Sequence, residues 1–296
     1  MNINKVVVSI SCLAYNHKEF IRQTLDSFLM QKTTFRFEVV IHDDCSTDGT
    51  KEIIEEYTAK YPNIIFPMFQ TENQYSIYKS GMNPRFNFPR CRGKYIALCE
   101  GDDYWTDPYK LQNQVDFLEA NLEYIAVAEN GLVLNSIKNT SYLFSEESER
   151  DISLRDLVKK RRFPTASVVF RNDAIKDILT ETKQMCDTIL WCYLASKGKF
   201  KYLTNVSSIY NRGIHGLVEG SNKFEWAQIV EKWNLELIRL FDADYKIKYI
   251  ATKNIYKHYL RIVKRKVSVS FLEINKSLLK CLKLIPKMFL ILILKK

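Results

Sequence analysis

The amino-acid sequence predicts an α/β protein with a mostly parallel, doubly wound sheet and helices on both faces. Strand-like runs alternate along the chain with helical segments, the order expected when crossover helices join parallel strands. The strand-like runs are apolar on both faces, most clearly at residues 6–11, which form an almost unbroken β-branched run, and at residues 95–98. Such strands are typical of sheets that helices cover on both sides.

The predicted elements follow at short intervals. Strands are expected at residues 6–11, 37–41, 64–68 and 95–98. Helices are expected after the first two strands because apolar side chains recur there at helical spacing: Ile21, Leu25, Phe28 and Leu29, then Ile53, Ile54 and Tyr57. After the fourth strand, Asp107 and Pro108 predict the N-cap and first residue of a further helix.

Three carboxylates stand within four residues directly after the fourth predicted strand. They belong to Glu100, Asp102 and Asp103. Like charges this close repel one another unless a cation or hydrogen-bond donors offset them, and oxygen ligands suit Mg²⁺ or Mn²⁺. A solvated acidic turn is the alternative interpretation. The position at the carboxyl edge of a parallel sheet, where ligands bind, favours a metal that bridges phosphates.

A second acidic loop, residues 42–50, follows the second predicted strand and opens on the same edge. This arrangement indicates a nucleotide site. Neither a GxGxxG nor a GxxxxGK[ST] loop is present, so the phosphates are expected to be neutralised by metal.

Three segments resemble the family 2 glycosyltransferases, inverting enzymes with the GT-A fold that use nucleotide-diphosphate sugars. The segments are SISCLAYN at residues 9–16, HDDCSTDGT at 42–50 and CRGKYIALCEGDDYW at 91–105. The resemblance is close over about residues 5–125 and looser to about residue 220. One position departs from it: the family's metal motif is commonly Asp-x-Asp, and its first position here is Glu100.

The resemblance implies roles for particular residues. Ala14, Tyr15 and Asn16 would bind the nucleotide, with the Tyr15 ring stacked on the base, and Asp44 would accept a hydrogen bond from the base. Asp102 would face the ribose and Asp103 the metal, Mn²⁺ or Mg²⁺, although which of the three clustered acids ligates it stays open. The alternatives are that Tyr15 is packing filler and that Asp44, like Asp48, caps the helix at Thr50.

The resemblance also implies a catalytic base and a mobile lid in the second half of the chain. Asp187 opens a helix and would deprotonate the acceptor hydroxyl; capping that helix is the alternative role. Arg212 and His215 would close over the diphosphate. Trp105 and Thr165 are expected on the acceptor side, although burial is common for a single tryptophan.

The charge is concentrated at the carboxyl end. Residues 246–296 have fourteen Lys or Arg and one acid, a net charge of +13 within a whole-chain charge of +10. Lysines and leucines there follow helical spacing, which predicts a basic amphipathic helix on an anionic membrane surface. Packing of this helix on the catalytic domain is the main alternative. Nucleic-acid binding is not expected, because aromatic residues for base stacking are few.

The sequence thus predicts one enzyme with an appended segment. Residues 1–125 would bind the nucleotide sugar, 126–225 would hold the acceptor and base, and 226–296 would form the basic helical segment. The predicted reaction is transfer of a sugar to a hydroxyl of a saccharide or lipid-linked acceptor in cell-surface polysaccharide synthesis. A nucleotidyltransferase and a non-catalytic saccharide- or membrane-binding module are the alternatives. The polar start and the seven cysteines without CxxC spacing predict a cytoplasmic, peripheral membrane protein.

Overall fold

The computed structural model describes residues 5–213, 222–265 and 270–293. The chain folds into two compact units. The first consists of residues 1–153, 162–179 and 193–212, and the second of residues 154–161, 180–192 and 213–296. The first unit therefore takes most of both predicted halves of the enzyme.

The first unit is built on a mixed, mostly parallel sheet, which confirms the predicted fold class. Its strands, within the described residues, are β1 (Val6–Ala14), β2 (Arg36–Asp43), β3 (Ile65–Phe69), β4 (Tyr95–Leu98), β5 (Tyr104–Trp105), β6 (Tyr124–Asn135), β7 (Thr140–Leu143), β8 (Arg150–Asp151), β9 (Val169–Arg171) and β10 (Lys199–Arg212). The order across the sheet is β3-β2-β1-β4-β9-β6-β10-β5, while β7 pairs with β6 and β8 with β10. β9 runs antiparallel to both β4 and β6, and β10 runs parallel to β6.

The connecting helices match the predicted alternation. In the first unit they are α1 (Ile21–Leu29), α2 (Thr50–Lys60), α3 (Gln74–Tyr78) and α4 (Lys110–Ala120). The start of α4 corrects one expectation. Asp107 and Pro108 precede this helix, whose N-cap is Tyr109, and the Asp107 carboxylate accepts the Tyr109 amide at 2.8 Å, which fixes the turn before the helix.

Strand β1 shows why the sheet is covered on both faces. Val8, Ile10 and Cys12 are fully buried on one face, and Ser9 and Ser11 are buried on the other. The buried hydroxyls are satisfied: Ser9 donates to Glu38 at 2.6 Å and Ser11 to Asn83 Oδ1 at 2.6 Å. Buried polar groups with partners cost little, so this face of β1 accepts serines without loss of stability.

The second unit is mainly helical in its described part. Its long helices are α8 (Lys223–Leu240), α9 (Tyr245–Arg265) and α10 (Phe271–Ile293), preceded by the short helices α5 (Leu154–Lys159), α6 (Ile178–Glu181) and α7 (Asp187–Lys197), the last two of which also extend into the first unit. A small core of Ala227, Ile255, Tyr259, Ile262, Cys281 and Leu284 joins the three long helices. None of the helices in the described ranges is long and apolar enough to cross a membrane.

Candidate active site

The carboxyl ends of β1, β2 and β4 lie side by side, because β1 pairs in parallel with both of the other strands. Backbone hydrogen bonds continue this pairing into the loops. The Gly101 amide donates to the Leu13 carbonyl at 2.8 Å, and the Asp44 amide donates to the Ala14 carbonyl at 2.9 Å. The tyrosine turn and both acidic loops of the sequence therefore meet at one edge of the sheet.

A glycine is required between the first two acids. A Cβ atom at Gly101 would lie 2.8 Å from His17 Nδ1, 3.1 Å from the Leu13 carbonyl oxygen and 3.2 Å from the Ala14 Cβ. A Cβ atom here would require the His17 ring to move and would crowd the Leu13 carbonyl and the Ala14 methyl group. Glycine at position 101 thus allows the acidic loop to approach the tyrosine turn closely.

Two residues outside the acidic loop form hydrogen bonds to it: Thr24 on α1 and Asn211 on β10. The Thr24 hydroxyl, on α1, is 3.0 Å from the Gly101 carbonyl and 2.7 Å from the Asp103 carbonyl. Asn211, near the end of β10, donates its backbone N–H to Asp103 Oδ1 at 2.9 Å and its side-chain amide to the Asp102 carbonyl at 2.6 Å. As a result the Asp103 side chain is buried, whereas Glu100 and Asp102 are half-buried.

The acids generate a negative potential inside the sheet. Burial raises the pKa of the Cys12 thiol well above its usual value, and the nearby charges of Glu100, Asp102 and Asp103 raise it further. The pKa of the Cys99 thiol is also raised well above its usual value, first by burial and then by the charge of Asp103. A cation at this edge would therefore be attracted by the negative charge of these carboxylates.

The donor chemistry of these residues fits a divalent metal. Their hard carboxylate oxygens are the ligands that Mg²⁺ and Mn²⁺ prefer. Across the part of the chain that the structure describes, no group of three His, Cys, Asp or Glu side chains converges on one metal position. Magnesium-type sites commonly use one or two carboxylates and complete their shell with substrate phosphates and water, which the arrangement of Asp102 and Asp103 allows.

Asp44 has a structural task in addition to any contact with a ligand. Its two carboxylate oxygens accept the backbone amides of Gln74 at 2.6 Å and Tyr75 at 2.9 Å, so it holds the start of α3. It does not cap α2; Asp48 accepts the Thr50 amide there at 3.0 Å. Each carboxylate oxygen has a second lone pair, so these bonds leave Asp44 able to accept a hydrogen bond from a base.

The tyrosine turn offers a free aromatic face. Tyr15 is 46% exposed, which is unusual for a residue between the buried Ala14 and a sheet edge. Asn16 adopts a left-handed φ of 55°. Its side-chain oxygen accepts the Thr47 amide at 2.9 Å, and its own amide donates to Ser46 Oγ at 2.9 Å. Asn16 thus links the tyrosine turn to the second acidic loop, and its part in the site is to position Tyr15 and the residues around Asp44.

The structure changes the interpretation of the two acceptor-side residues. Trp105 is 2% exposed, lies with its ring centroid 4.9 Å from that of Phe28 and donates its indole N–H to the Ala166 carbonyl at 2.7 Å. Thr165 is also 2% exposed. A ring closed in this way has no face to present to a sugar, so the acceptor-side expectation for Trp105 is corrected to a core role, and Thr165 lies equally deep.

Asp187, the expected base, belongs to the second unit. It is the first residue of α7, its side chain is about half exposed, and its Oδ2 lies 3.7 Å from an Arg161 guanidinium nitrogen. Half-exposure keeps the carboxylate accessible to a hydroxyl from solvent. Its first-turn position is also compatible with helix capping, so the geometry permits both of the roles that the sequence suggested.

Of the two residues expected to close over the diphosphate, Arg212 lies within the described residues. Arg212 is exposed and ends β10, directly after Asn211. His215 lies outside the described residues. Thr24 and Asn211 contact the acidic loop but were not among the residues that the sequence indicated. Asn211 stands next to Arg212 within a segment that resembled the family, but its contact with the acids depends on strand pairing that no local pattern reveals.

The fold is of the GT-A type. The sequence pattern of the family described as "Glycosyl transferase family 2" matches residues 9–179. The chain therefore belongs to glycosyltransferase family 2.

Related sequences come from several bacteria. An uncharacterized Mycobacterium tuberculosis protein is 35% identical over 219 residues, 71% of this chain and 60% of the relative's length. The chain thus spans well under two thirds of that relative. The Escherichia coli UDP-Glc:alpha-D-GlcNAc-diphosphoundecaprenol beta-1,3-glucosyltransferase WfaP is 30% identical over 74% of this chain and 82% of its own.

Solved structures show the same fold. The Staphylococcus aureus TarS 1-349 complex with UDP-GlcNAc superposes with a TM-score of 0.69 at 16% identity, covering 97% of this chain and 81% of TarS 1-349. The mannosyltransferase PcManGT of Pyrobaculum calidifontis, in complex with GDP-Man and Mn²⁺, gives a TM-score of 0.54 at 15% identity, covering 92% of this chain and 78% of that chain.

Proposed function

We propose that the protein is an inverting glycosyltransferase that moves a hexose from a uridine-diphosphate sugar to a hydroxyl of a lipid-linked saccharide in cell-surface polysaccharide synthesis. The observation that carries this proposal is the clamped acidic loop beside the exposed Tyr15 ring at the carboxyl edge of the sheet. Membership of family 2 supports the reaction class.

The donor would bind across this edge. Tyr15 would stack on the base, Asp44 would accept the base N–H and Asp102 would bind the ribose. Asp44 alone does not select uracil, because guanine also presents a donor to a carboxylate. The preference for uridine rests on WfaP, a UDP-Glc glucosyltransferase that is 30% identical to this chain.

Asp103 and Asp102 would hold Mn²⁺ or Mg²⁺, with Glu100 as their neighbour. When bound, the cation would neutralise the diphosphate and stabilise it as a leaving group. Thr24 and Asn211 keep the loop in place, so little has to be reorganised when the donor arrives. Arg212 would add positive charge beside the diphosphate.

Asp187 is the proposed base. Its carboxylate would take the proton of the acceptor hydroxyl while the acceptor oxygen bonds to the anomeric carbon and the bond from that carbon to the diphosphate breaks. The nucleoside diphosphate leaves with the bonding electron pair, and the anomeric configuration inverts. No covalent enzyme intermediate is needed.

The acceptor proposal also places the protein at the membrane. WfaP is named for a diphosphoundecaprenol-linked sugar, a lipid-linked saccharide that resides in a bilayer. A basic carboxyl-terminal segment of net charge +13 suits the anionic cytoplasmic leaflet. We therefore propose a peripheral location on the cytoplasmic membrane face.

The test is transfer by the full chain with uridine-, guanosine- and thymidine-diphosphate hexoses, a diphosphoundecaprenol-linked GlcNAc acceptor, and Mn²⁺, Mg²⁺ or chelator. We expect product only with a uridine donor and a metal, with inverted anomeric configuration by NMR. Pyrophosphate release from a nucleoside triphosphate and a sugar phosphate would instead identify a nucleotidyltransferase. Absence of donor binding in every condition would leave the non-catalytic module.

A further inference from the structure

Helix α10 presents three distinct faces along its length. At 3.6 residues per turn, Ser277, Cys281 and Leu284 share one face, and all three are buried. A second face, which we call the open face, spans about 140° of the helix circumference. Its large apolar members are all exposed: Leu272, Leu278, Leu279, Leu282, Ile285, Phe289, Leu290 and Ile293. The exposed Asn275 and Pro286 also lie on this face. The third face holds lysines.

The buried face joins α10 to α9. Cys281 and Leu284 pack into the core with Ile255, Tyr259 and Ile262, and the Cys281 thiol lies 3.9 Å from the Tyr256 carbonyl. Lys280 adds an ion pair with Glu231, and Glu231 accepts the Tyr259 hydroxyl at 2.7 Å. Helix α10 is therefore a folded part of the second unit, and burial of its leucines on α9 does not explain the open face.

An apolar surface of this size is unusual in water. Leu282 is 58% exposed and Phe289 is 63% exposed. Contiguous exposed apolar patches mark interaction sites, in contrast to single exposed residues, which are common. The sequence allows these leucines either to pack on the protein or to face a membrane. In the structure α10 packs on α9 through Cys281 and Leu284, which are not on the open face.

The lysines beside the open face indicate which kind of partner would cover it. Lys276, Lys280, Lys283 and Lys287 form a stripe along one border of the open face. Of these, Lys280 is engaged by Glu231, while Lys276, Lys283 and Lys287 are exposed. A second copy of the chain would bring two segments of net charge +13 together across this face. Anionic phospholipid supplies both an apolar layer and the opposite charge.

We propose that the open face of α10 inserts into the headgroup and upper acyl region of an anionic bilayer, with Lys276, Lys283 and Lys287 at the lipid phosphates. Leu278, Leu282 and Phe289 would be the central inserted side chains. The inference deepens the proposed membrane location and does not depend on sugar transfer. Because α10 also completes the core with α9, the anchor is a rigid surface of the second unit.

Point variants test this better than truncation. Deleting α10 would uncover Ile255 and Tyr259 and would lower the melting temperature whether or not lipid binds. The full-length Leu282→Gln/Phe289→Gln variant changes only exposed apolar side chains, and Leu122→Gln is its control, since Leu122 is 74% exposed in the first unit. Lys283→Gln/Lys287→Gln is matched by Lys138→Gln/Lys176→Gln, which removes two exposed lysines elsewhere.

The measurement is co-sedimentation, without donor or acceptor, with vesicles of phosphatidylcholine alone or mixed equally with phosphatidylglycerol. We expect the wild type and both controls to bind the anionic vesicles, more weakly at high salt and on neutral lipid. Loss of the two apolar side chains should weaken binding about 100-fold or more. Loss of two lysines should weaken it about 30-fold. Melting temperatures should match that of the wild type.

Two results would overturn the inference. One is wild-type affinity of the Leu282→Gln/Phe289→Gln variant for anionic vesicles. The other is a dimer in analytical ultracentrifugation without lipid that the same variant dissociates, together with no vesicle binding by the wild type; that result would assign the open face to a second copy. Nucleotide-induced thermal shift of the same samples reports separately on the donor site, so failure of either proposal is recognised independently.

Discussion

Asn211 bonds to two consecutive residues of the acidic loop across 108 positions of sequence. Its backbone amide donates to Asp103 Oδ1 at 2.9 Å, and its side-chain amide donates to the Asp102 carbonyl at 2.6 Å. The proposed lid thus begins one residue after a contact that fixes the proposed metal ligands. A change at Asn211 should therefore affect metal and donor binding together.

Asn211→Ala should weaken metal-dependent UDP binding by up to about tenfold, since one hydrogen bond contributes about 0.5–1.5 kcal/mol. The backbone amide that serves Asp103 is retained, so stability should change little. Asn211→Asp should bind more weakly still, because it sets a charge beside the existing acids. Isothermal titration with Mn²⁺ measures both, with the exposed Asn113→Ala as control. Equal affinities in all four proteins would exclude a positioning role.

Asp103→Asn is the sharpest test of the metal assignment. The amide oxygen can still accept the Asn211 N–H, so that backbone donor keeps its partner, but the charge is lost. We expect the Mn²⁺-dependent part of the UDP thermal shift to disappear while the melting temperature without ligand is nearly unchanged. Asp116→Asn, an exposed carboxylate on α4, is the control. Undiminished UDP binding by the wild type in chelator would contradict the assignment.

Asp187→Asn should retain donor binding and lose transfer. Removal of a general base typically costs about 10²–10⁴ in rate, whereas an asparagine still caps a helix. The measurement is single-turnover transfer beside UDP affinity. Asp242→Asn is a matched control, because Asp242 is also exposed and paired with one cation, Lys248. A transfer rate close to that of the wild type in Asp187→Asn would show that Asp187 is a helix cap and not the base.

Two buried ionisable side chains, Lys110 and Glu129, influence one another electrostatically. Lys110 is fully buried, 4.6 Å from the Trp105 ring centre, and donates to Gln114 at 2.6 Å. Glu129 is fully buried as well. Burial lowers the pKa of Lys110 from 10.5 to about 8, and burial raises the pKa of Glu129.

Lys110→Met should destabilise the fold by up to about 3–5 kcal/mol, because it removes the buried cation whose charge favours the ionised form of Glu129. Lys110→Met/Glu129→Leu should recover much of this loss. Chemical denaturation of the two single variants and the double variant gives the coupling free energy. Additive effects would show that the two groups do not interact.

The pH dependence of the same series has a defined sign. Between about pH 8 and 10.5 the unfolded chain keeps the Lys110 proton that the folded protein has lost. Stability of the wild type relative to Lys110→Met should therefore rise with pH across this window, by about 3 kcal/mol at most. Denaturation curves at several alkaline pH values measure it, and a falling difference would contradict the burial of a charged Lys110.

The class of fold, the alternation of strands and helices and the acidic loop can be predicted from the sequence, because they depend on residues a few positions apart. Apolar runs and helical spacing are local signals, and the strand at residues 95–98 was predicted with its observed bounds. The departures are local too: α4 begins after Pro108 because the Asp107 carboxylate is used in the preceding turn.

Tertiary structure alone decided which residues support the site and which are enclosed. Thr24 reaches Asp103 across 79 positions, and Asp44 reaches Gln74 across 30, because parallel pairing brings distant strand ends together. Trp105 is aromatic and close to the acids in sequence, yet packing against Phe28 closes its ring. Helix α10 carries apolar residues on two faces, and only packing on α9 shows which of them remains in contact with solvent.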